Sequence, residues 1–388
     1  MPTSRLIDAL GDGFLRSELA SQVAHGHLRL SDLQQIANWE DLNRALVSHR
    51  LAPPRVRLHI RAGEAARDDD YTTSRATRRD ETVRTLDLDK VVQSLRDGQS
   101  LVIDAVDEML EGVRNAAADL EWAVREPVQA NAYLTWGNTS GFGPHWDDHD
   151  VIIVQVDGTK HWKVFGPTRS KPMYADVEHD TSHPESVIWE GVLTAGEVLH
   201  IPRGFWHDVK GAGVGSFHLT FGFTRRTNID AILHTVESLR SHESLRSDID
   251  RFGQDTSSFD EAITTAVAAL RACEPAEALA TRDAELAPRR ALSLPFEIDG
   301  SLPEGPYTLE AMSRIPFKLD DNSKSCSISF GGQNITLPPQ CRSALVALQR
   351  ERSLTSDELL QMSALERNDF EKLVRTLVRW RIVAVSAR

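Results

Sequence analysis

The sequence predicts an α+β chain: an antiparallel β-sandwich or barrel, then a helical region, then a winged-helix-like end. Three observations carry this. Between Val128 and Phe223, short β-rich runs alternate with glycine- and proline-containing breaks, and no helical periodicity intervenes. From Asn228 to Leu292 apolar residues recur at helical spacing. Beyond a Pro/Gly-rich link, the C-terminal stretch reads as three helices and a strand.

Taken in order, the first half reads as mixed helix and strand. Its charged segment ARDDDYTTSRATRRDE, up to Glu81, is expected to be an exposed, solvated loop. The β region comprises VQANAYLTW, DVIIVQVDG, KHWKVFGP, SVIWEGVLTAGEVLHIP and SFHLTFGF, each of strand length. In the helical region Ile229, Ile232, Leu233, Val236 and Leu239 form one apolar stripe, and Ile263, Val267 and Leu270 form another. A stripe that packs on its own chain and one that packs on another subunit look the same in sequence. The link LPFEIDGSLPEGP, from Leu294 to Pro306, marks a boundary. After it come CRSALVALQRER, TSDELLQMSA and ERNDFEKLVRTLVRW, then the strand RIVAVS; Thr355 or Ser356 ahead of Glu358 marks a helix start.

Composition narrows the functions. The 388 residues carry 44 Lys+Arg against 57 Asp+Glu, a net charge of −13, which disfavours bulk attraction to nucleic acid or to an anionic membrane. The segment from Leu337 to Arg388 is locally basic, so charge alone leaves DNA reading open there; a protein-interaction module is the preferred reading. Cys273, Cys326 and Cys341 are scattered and odd in number, which excludes a disulfide framework and any CxxC metal or redox motif. No apolar run approaches the roughly 20 residues that span a bilayer. The opening segment carries Asp8 and Asp12 where a signal peptide is apolar, so a cytoplasmic location is expected.

The chemistry concentrates in GFGPHWDDHDVIIVQVDG. His145 and Asp147 stand two positions apart at what reads as a strand start, so alternation sends both side chains to one face. A third ligand is available at His207 in GEVLHIPRGFWHDV, after a Pro-Arg-Gly turn. Two imidazoles and one carboxylate with open positions suit a non-haem Fe(II) oxygenase. Alone the pattern is weak, because HxD is expected about once by chance in such a chain. A competing pair, His183 and Glu185, lies in the polar run EHDTSHPES, where no pleated face would hold two ligands. His149 falls on the face of His145 and Asp147 if the strand is regular, where it would contact substrate or support the ligands. Trp146 and Trp206 each adjoin a ligand and should point away from it into packing.

The stretch NAYLTWGNTSGFGPHWDDHDVIIVQVDGTKHWKVFGP, with GEVLHIPRGFWHDV and SFHLTFGF, resembles the Jumonji-C oxygenases of the ribosomal-oxygenase type. The resemblance covers roughly Asn131 to Phe223, and the first 120 residues match poorly. It implies a double-stranded β-helix (jelly-roll, cupin-like) and an Fe(II)- and 2-oxoglutarate-dependent protein hydroxylase that consumes O2. It implies an oxygenase domain over 1–226 with an N-terminal α/β extension, a helical dimerisation region over 227–294 that makes a homodimer, and a winged-helix-like domain over 295–388. By position, His145, Asp147 and His207 fall on the iron ligands. Lys160 falls on the basic residue that takes the distal carboxylate of 2-oxoglutarate, in keeping with that dicarboxylate's need for a buried cation. Without the resemblance Lys160 reads equally as a turn residue after Asp157-Gly158. Asn131 falls near the co-substrate, against the alternative of local backbone hydrogen bonds. Tyr133 falls near the peptide substrate, although a core tyrosine is a close alternative; His149 is assigned to the substrate from its strand face, at a position where related proteins often have tyrosine or an aliphatic residue. His218 matches a family S-x-H-L-T segment, and a hydrogen-bonded core histidine is the preferred role.

The acidic balance points to a basic protein or peptide substrate, such as a ribosomal protein segment. Three rivals stay open: a cupin metalloenzyme that does not use 2-oxoglutarate, an N-methyl-lysine demethylase, and a winged-helix DNA-binding regulator.

Overall fold

The computed structural model describes residues 4–387, apart from 12, 20, 62–63, 139, 174–181, 250, 253–255, 287–288, 290–291 and 323–324. The chain divides into two units, one ending at Arg225 and the other beginning at Arg226.

The strands of the first unit are β1 (Ala24–His27), β2 (Val56–Arg61), β3 (Glu64–Ala65), β4 (Thr72–Ala76), β5 (Thr82–Leu86), β6 (Ser100–Ile103), β7 (Val128–Thr135), β8 (Asp150–Asp157), β9 (Lys160–Pro167), β10 (Val187–Leu193), β11 (Glu197–Ile201), β12 (Phe205–Gly211) and β13 (Ser216–Phe223). Its helices are α1 (Arg5–Leu10), α2 (Leu30–Ile36), α3 (Trp39–Ser48), α4 (Asp68–Tyr71), α5 (Leu88–Arg96) and α6 (Glu111–Val124). Eight strands form one sheet in the order β1-β11-β8-β13-β7-β6-β2-β3, and three form a second in the order β10-β9-β12.

Alternation along the central strands sets the layers. Ala130, Ala132 and Leu134 of β7, Ile152 and Val154 of β8, and Leu219 and Phe221 of β13 share one core with Leu6, Leu33, Ile36, Val113 and Leu120 of the helices. The opposite face of the large sheet meets the small one: Val151, Ile153, Leu199 and Ile201 pack with Trp162, Val164 and Leu193. The odd positions of β7 (Asn131, Tyr133, Thr135) and the even positions of β13 (His218, Thr220) therefore turn toward the space between the sheets. The expected N-terminal extension is not a separate layer, because its strands prolong the large sheet at both edges, β1 against β11 and β2 and β3 beyond β6.

The segment expected as an exposed loop before Glu81 is instead α4 followed by the β4–β5 hairpin. Its side chains are largely solvated, yet Tyr71 is buried and its hydroxyl donates to the Val56 carbonyl at 3.1 Å. That buried ring anchors a segment whose charge had suggested none.

The second unit opens with α7 (Asn228–Ser238), α8 (Ser257–Ala272), α9 (Pro275–Asp283) and α10 (Leu294–Asp299), the last lying within the predicted link. On α7, Ile229, Ile232, Leu233 and Val236 are exposed, as are Phe259, Ile263 and Val267 on α8. The remainder contains β14 (Tyr307–Ala311), β15 (Lys318–Asn322), β16 (Ser325–Phe330), β17 (Gln333–Leu337), β18 (Ser353–Thr355) and β19 (Val383–Ala387) with α11 (Arg342–Arg350), α12 (Ser356–Met362) and α13 (Arg367–Arg379). The sheets β18-β14-β19 and β15-β16-β17 and these helices close on a core that includes Leu309, Ile328, Leu345, Leu359, Val374 and Leu377. Cys326 and Cys341 are buried in this unit and Cys273 is half-buried, and none of the three is in a disulfide. No helix among the described residues is long and apolar enough to cross a membrane.

Candidate active site

His145 and Asp147 do not begin a strand: β8 starts at Asp150, and the pair sits in the loop that precedes it. What brings them to His207 is cross-strand pairing. The His145 amide donates to the His207 carbonyl at 3.1 Å, and the His207 amide returns a bond to the His145 carbonyl at 2.7 Å. The turn before β12 adds a third tie, from the Gly204 amide to the Asp147 carbonyl at 2.8 Å. Ligand atoms of His145, Asp147 and His207 thus lie within 4.8 Å of one another, with His207 Nε2 at 3.7 Å from Asp147 Oδ2.

The imidazoles are prepared for a cation. His145 Nδ1 lies 2.9 Å from the Gly143 carbonyl and His207 Nδ1 lies 3.2 Å from the Phe205 carbonyl. A carbonyl only accepts, so each Nδ1 carries a proton, which in a neutral ring leaves Nε2 as the atom with the lone pair. Burial, and then the neighbouring His145, push His207 down to about 4, so its ring is neutral at physiological pH.

His149 lies outside this group. Its Nδ1 is 3.0 Å from Asp148 Oδ1. Its ring lies over Gly222 of β13, where a Cβ would stand 2.9 Å from the ring carbon and 3.0 Å from Nε2. Trp146 and Trp206 are buried together with Phe165 in a separate cluster. His183 hydrogen-bonds the Pro184 carbonyl and rests against Phe165, and it belongs to no metal-binding group among the described residues. The polar run read around it lies partly outside the described residues.

Lys160 opens β9 and is buried, paired in register with Leu193 and Gly211. Among the described residues no carboxylate pairs with it, and burial alone pushes its ammonium down to about 7. Asn131 Oδ1 accepts from the Ala105 amide and from Gln129 Nε2, both at 3.0 Å, so it does make the local hydrogen bonds of its alternative reading. Tyr133 is half-buried, and its hydroxyl is pushed up to about 12 by burial and then by Asp147, a rise that Asn131 offsets by hydrogen bonding. The Tyr133 ring stacks on His218 at 4.8 Å and 4°. His218 is buried, and among the described residues its Nδ1 has no hydrogen-bond partner.

Three lining residues escape the sequence reading. Phe142 stands 5.9 Å from His145 and 6.0 Å from Tyr133, ring to ring, and His59 of β2 meets Phe142 at 4.3 Å with the rings tilted by 45°. Trp162 meets His207 at 6.2 Å and His218 at 5.6 Å. Trp162 could have been found from its place two positions after Lys160, on the same strand face. His59 carries no such signal, because it enters from the poorly matching N-terminal extension.

The model of the JmjC domain matches residues 113–231. A protein of Brugia malayi named bifunctional lysine-specific demethylase and histidyl-hydroxylase NO66 is 36% identical over 115 residues, 28% of this chain and 16% of that protein. Ribosomal oxygenase 1 of Gallus gallus is 32% identical over 125 residues, 31% of this chain and 21% of that protein. The chain thus spans about a fifth or less of the length of these curated relatives. Among solved structures, E. coli ycfD superposes with a TM-score of 0.59 at 17% identity, covering 96% of this chain and 97% of that one. YcfD described as a ribosomal oxygenase in complex with cobalt and 2-oxoglutarate superposes at 0.53 and 15% identity, covering 97% and 98%. Residues 113–231 therefore carry the match to the JmjC domain, within a fold shared with these solved structures.

Proposed function

We propose that this chain is an Fe(II)- and 2-oxoglutarate-dependent oxygenase that hydroxylates a side chain of a protein or peptide substrate. The observation that carries the reading is the pairing of two features on neighbouring strands, since Lys160 pairs in register with Gly211 of the strand that carries His207. His145, Asp147 and His207 converge with both Nε2 atoms free, and the buried Lys160 has no counter-ion among the described residues. Both fit the absent groups, because the first is a two-imidazole, one-carboxylate face for iron and the second asks for an anion. When bound, iron and 2-oxoglutarate supply the oxygen activation and C–H oxidation that no side chain here provides.

The chain's own part is placement. Asp147 and the two imidazoles occupy one side of the metal and leave the other open, while Lys160 neutralises the distal carboxylate. Asn131 borders the co-substrate, and Tyr133 and His149 border the substrate.

The finer features belong to the same proposal. The domains run 1–226, 227–294 and 295–388, the last as a winged-helix-like interaction module. The exposed stripes of α7 and α8 meet a second copy, making a homodimer. The substrate is basic, such as a ribosomal protein segment, since a net charge of −13 attracts cations. The protein works in the cytoplasm.

Anaerobic titration with Fe(II), with and without 2-oxoglutarate, tests the reading. A charge-transfer band that needs 2-oxoglutarate, and succinate release on admission of air, are expected. Asp147→Ala and His207→Ala should each abolish both, and intact turnover in either variant overturns the ligand assignment. Mass spectrometry of a deletion strain against its parent then identifies the protein that loses one oxygen.

A further inference from the structure

His218 is the buried side chain of the inner wall that the reading above leaves unused. It lies on β13 in register with Tyr133 of β7 and Gln155 of β8. Its ring is held from two sides, stacked on Tyr133 at 4.8 Å and met edge-on by Trp162 at 5.6 Å and 80°. A histidine fixed so firmly in a core ordinarily has its ring nitrogens satisfied, because an orphaned buried polar atom is costly. Here, among the described residues, Nδ1 has no hydrogen-bond partner.

It is not the only orphan on this wall. The indole Nε1–H of Trp162 is likewise buried without a partner. Lys160, two positions before Trp162 on the same strand face, is a buried ammonium with no carboxylate paired to it among the described residues. Lys160 is near enough for its charge, after burial itself, to hold His218 well below its usual value, so the ring is neutral and one of its nitrogens carries a proton to donate. A cation and two donors gathered without an acceptor call for an acceptor from outside.

We infer that His218 is a second binding residue for the co-substrate's distal carboxylate, its Nδ1–H donating to the same group that Lys160 neutralises. The inference rests on the oxygenase reading proposed above. Lys160 supplies charge, which any anion satisfies. The rigid imidazole supplies direction, so that the pocket selects a keto acid with a second carboxylate at one fixed distance from the metal.

Calorimetry on the full chain loaded with Mn(II) tests this, using 2-oxoglutarate and, separately, pyruvate, which keeps the keto-acid end and lacks the distal carboxylate. His218→Leu is expected to weaken 2-oxoglutarate about ten- to a hundredfold, the range of one charge-assisted hydrogen bond, with pyruvate unchanged. His218→Asn, whose amide N–H falls near Nδ1, should recover most of the loss. Equal weakening of both acids, or none for 2-oxoglutarate, overturns the inference.

If His218→Leu does not fold, nitrogen-15 spectra of the wild-type protein with Zn(II) decide. The His218 ring nitrogen and the Trp162 indole N–H should shift with 2-oxoglutarate and not with pyruvate, and a static His218 signal overturns the inference. Wild-type protein that binds neither acid overturns the oxygenase reading itself. Tight 2-oxoglutarate binding that is lost in Lys160→Met but kept in His218→Leu removes only the role of His218.

Discussion

Lys160 is the residue whose chemistry depends most on where the fold puts it. In water its ammonium would titrate near 10.5; between the sheets, burial brings it down to about 7. The sign follows directly. Between about pH 7 and 10.5 the unfolded chain holds the proton and the folded chain does not, so stability without co-substrate rises with pH across that window and is lost as pH falls through 7. A bound carboxylate reverses the preference and restores the proton. Binding of 2-oxoglutarate near pH 8 should therefore take up a proton, and affinity should fall with pH by up to about tenfold per unit above 7. Calorimetry in buffers of different ionisation enthalpy measures the uptake. Lys160→Arg, charged throughout, should abolish the pH dependence, and a dependence that persists refutes the account.

At the scale of the element, the ligand loop is held by backbone rather than by its own regular structure. Gly204 has φ +84°, and a Cβ there would stand 2.8 Å from the Pro172 ring. Gly204→Ala should cost about 1–2 kcal/mol in denaturant unfolding, the usual penalty for the left-handed region. It should also loosen the tie to the Asp147 carbonyl and so weaken metal binding. Equilibrium dialysis against Mn(II) separates that effect from simple destabilisation.

In the second unit α12 starts with a capping box. The Thr355 hydroxyl accepts from the Glu358 amide at 3.2 Å, and the Glu358 carboxylate accepts from the Thr355 amide at 2.8 Å. Thr355→Ala should cost about 1 kcal/mol, read as a lowered midpoint of the second unit in thermal unfolding. This helix start was legible in the sequence because both partners are four residues or fewer apart. The burial of Tyr71 was not, because its hydrogen bond reaches back to Val56 across an intervening segment.

At the scale of the molecule, α7 leaves Leu233 59% and Ile232 44% exposed, a contiguous apolar face that water opposes. With a second copy as the proposed partner, the wild-type chain should sediment as a dimer at micromolar concentration. Leu233→Glu should shift it to monomer, and a wild-type chain that stays monomeric sinks the proposal.

The candidate residues His145, Asp147, Lys160 and His207 could be named from the chain through its family resemblance, since the HxD pair is weak alone and Lys160 alone reads equally as a turn residue. The strand runs were equally legible, since alternation with period two is a local property. Tertiary structure alone decided the rest. It put His145 and Asp147 in a loop and joined them to His207 by backbone pairing, and it set His59 against Phe142 from a distant strand. Among the described residues it also left Lys160 without a carboxylate partner and Nδ1 of His218 without a hydrogen bond. Ligand identity follows from residue type and neighbours in the sequence, whereas burial, pairing and the lack of a partner depend on every segment that packs nearby. Those properties became readable only once β2, β7, β9 and β13 were set side by side.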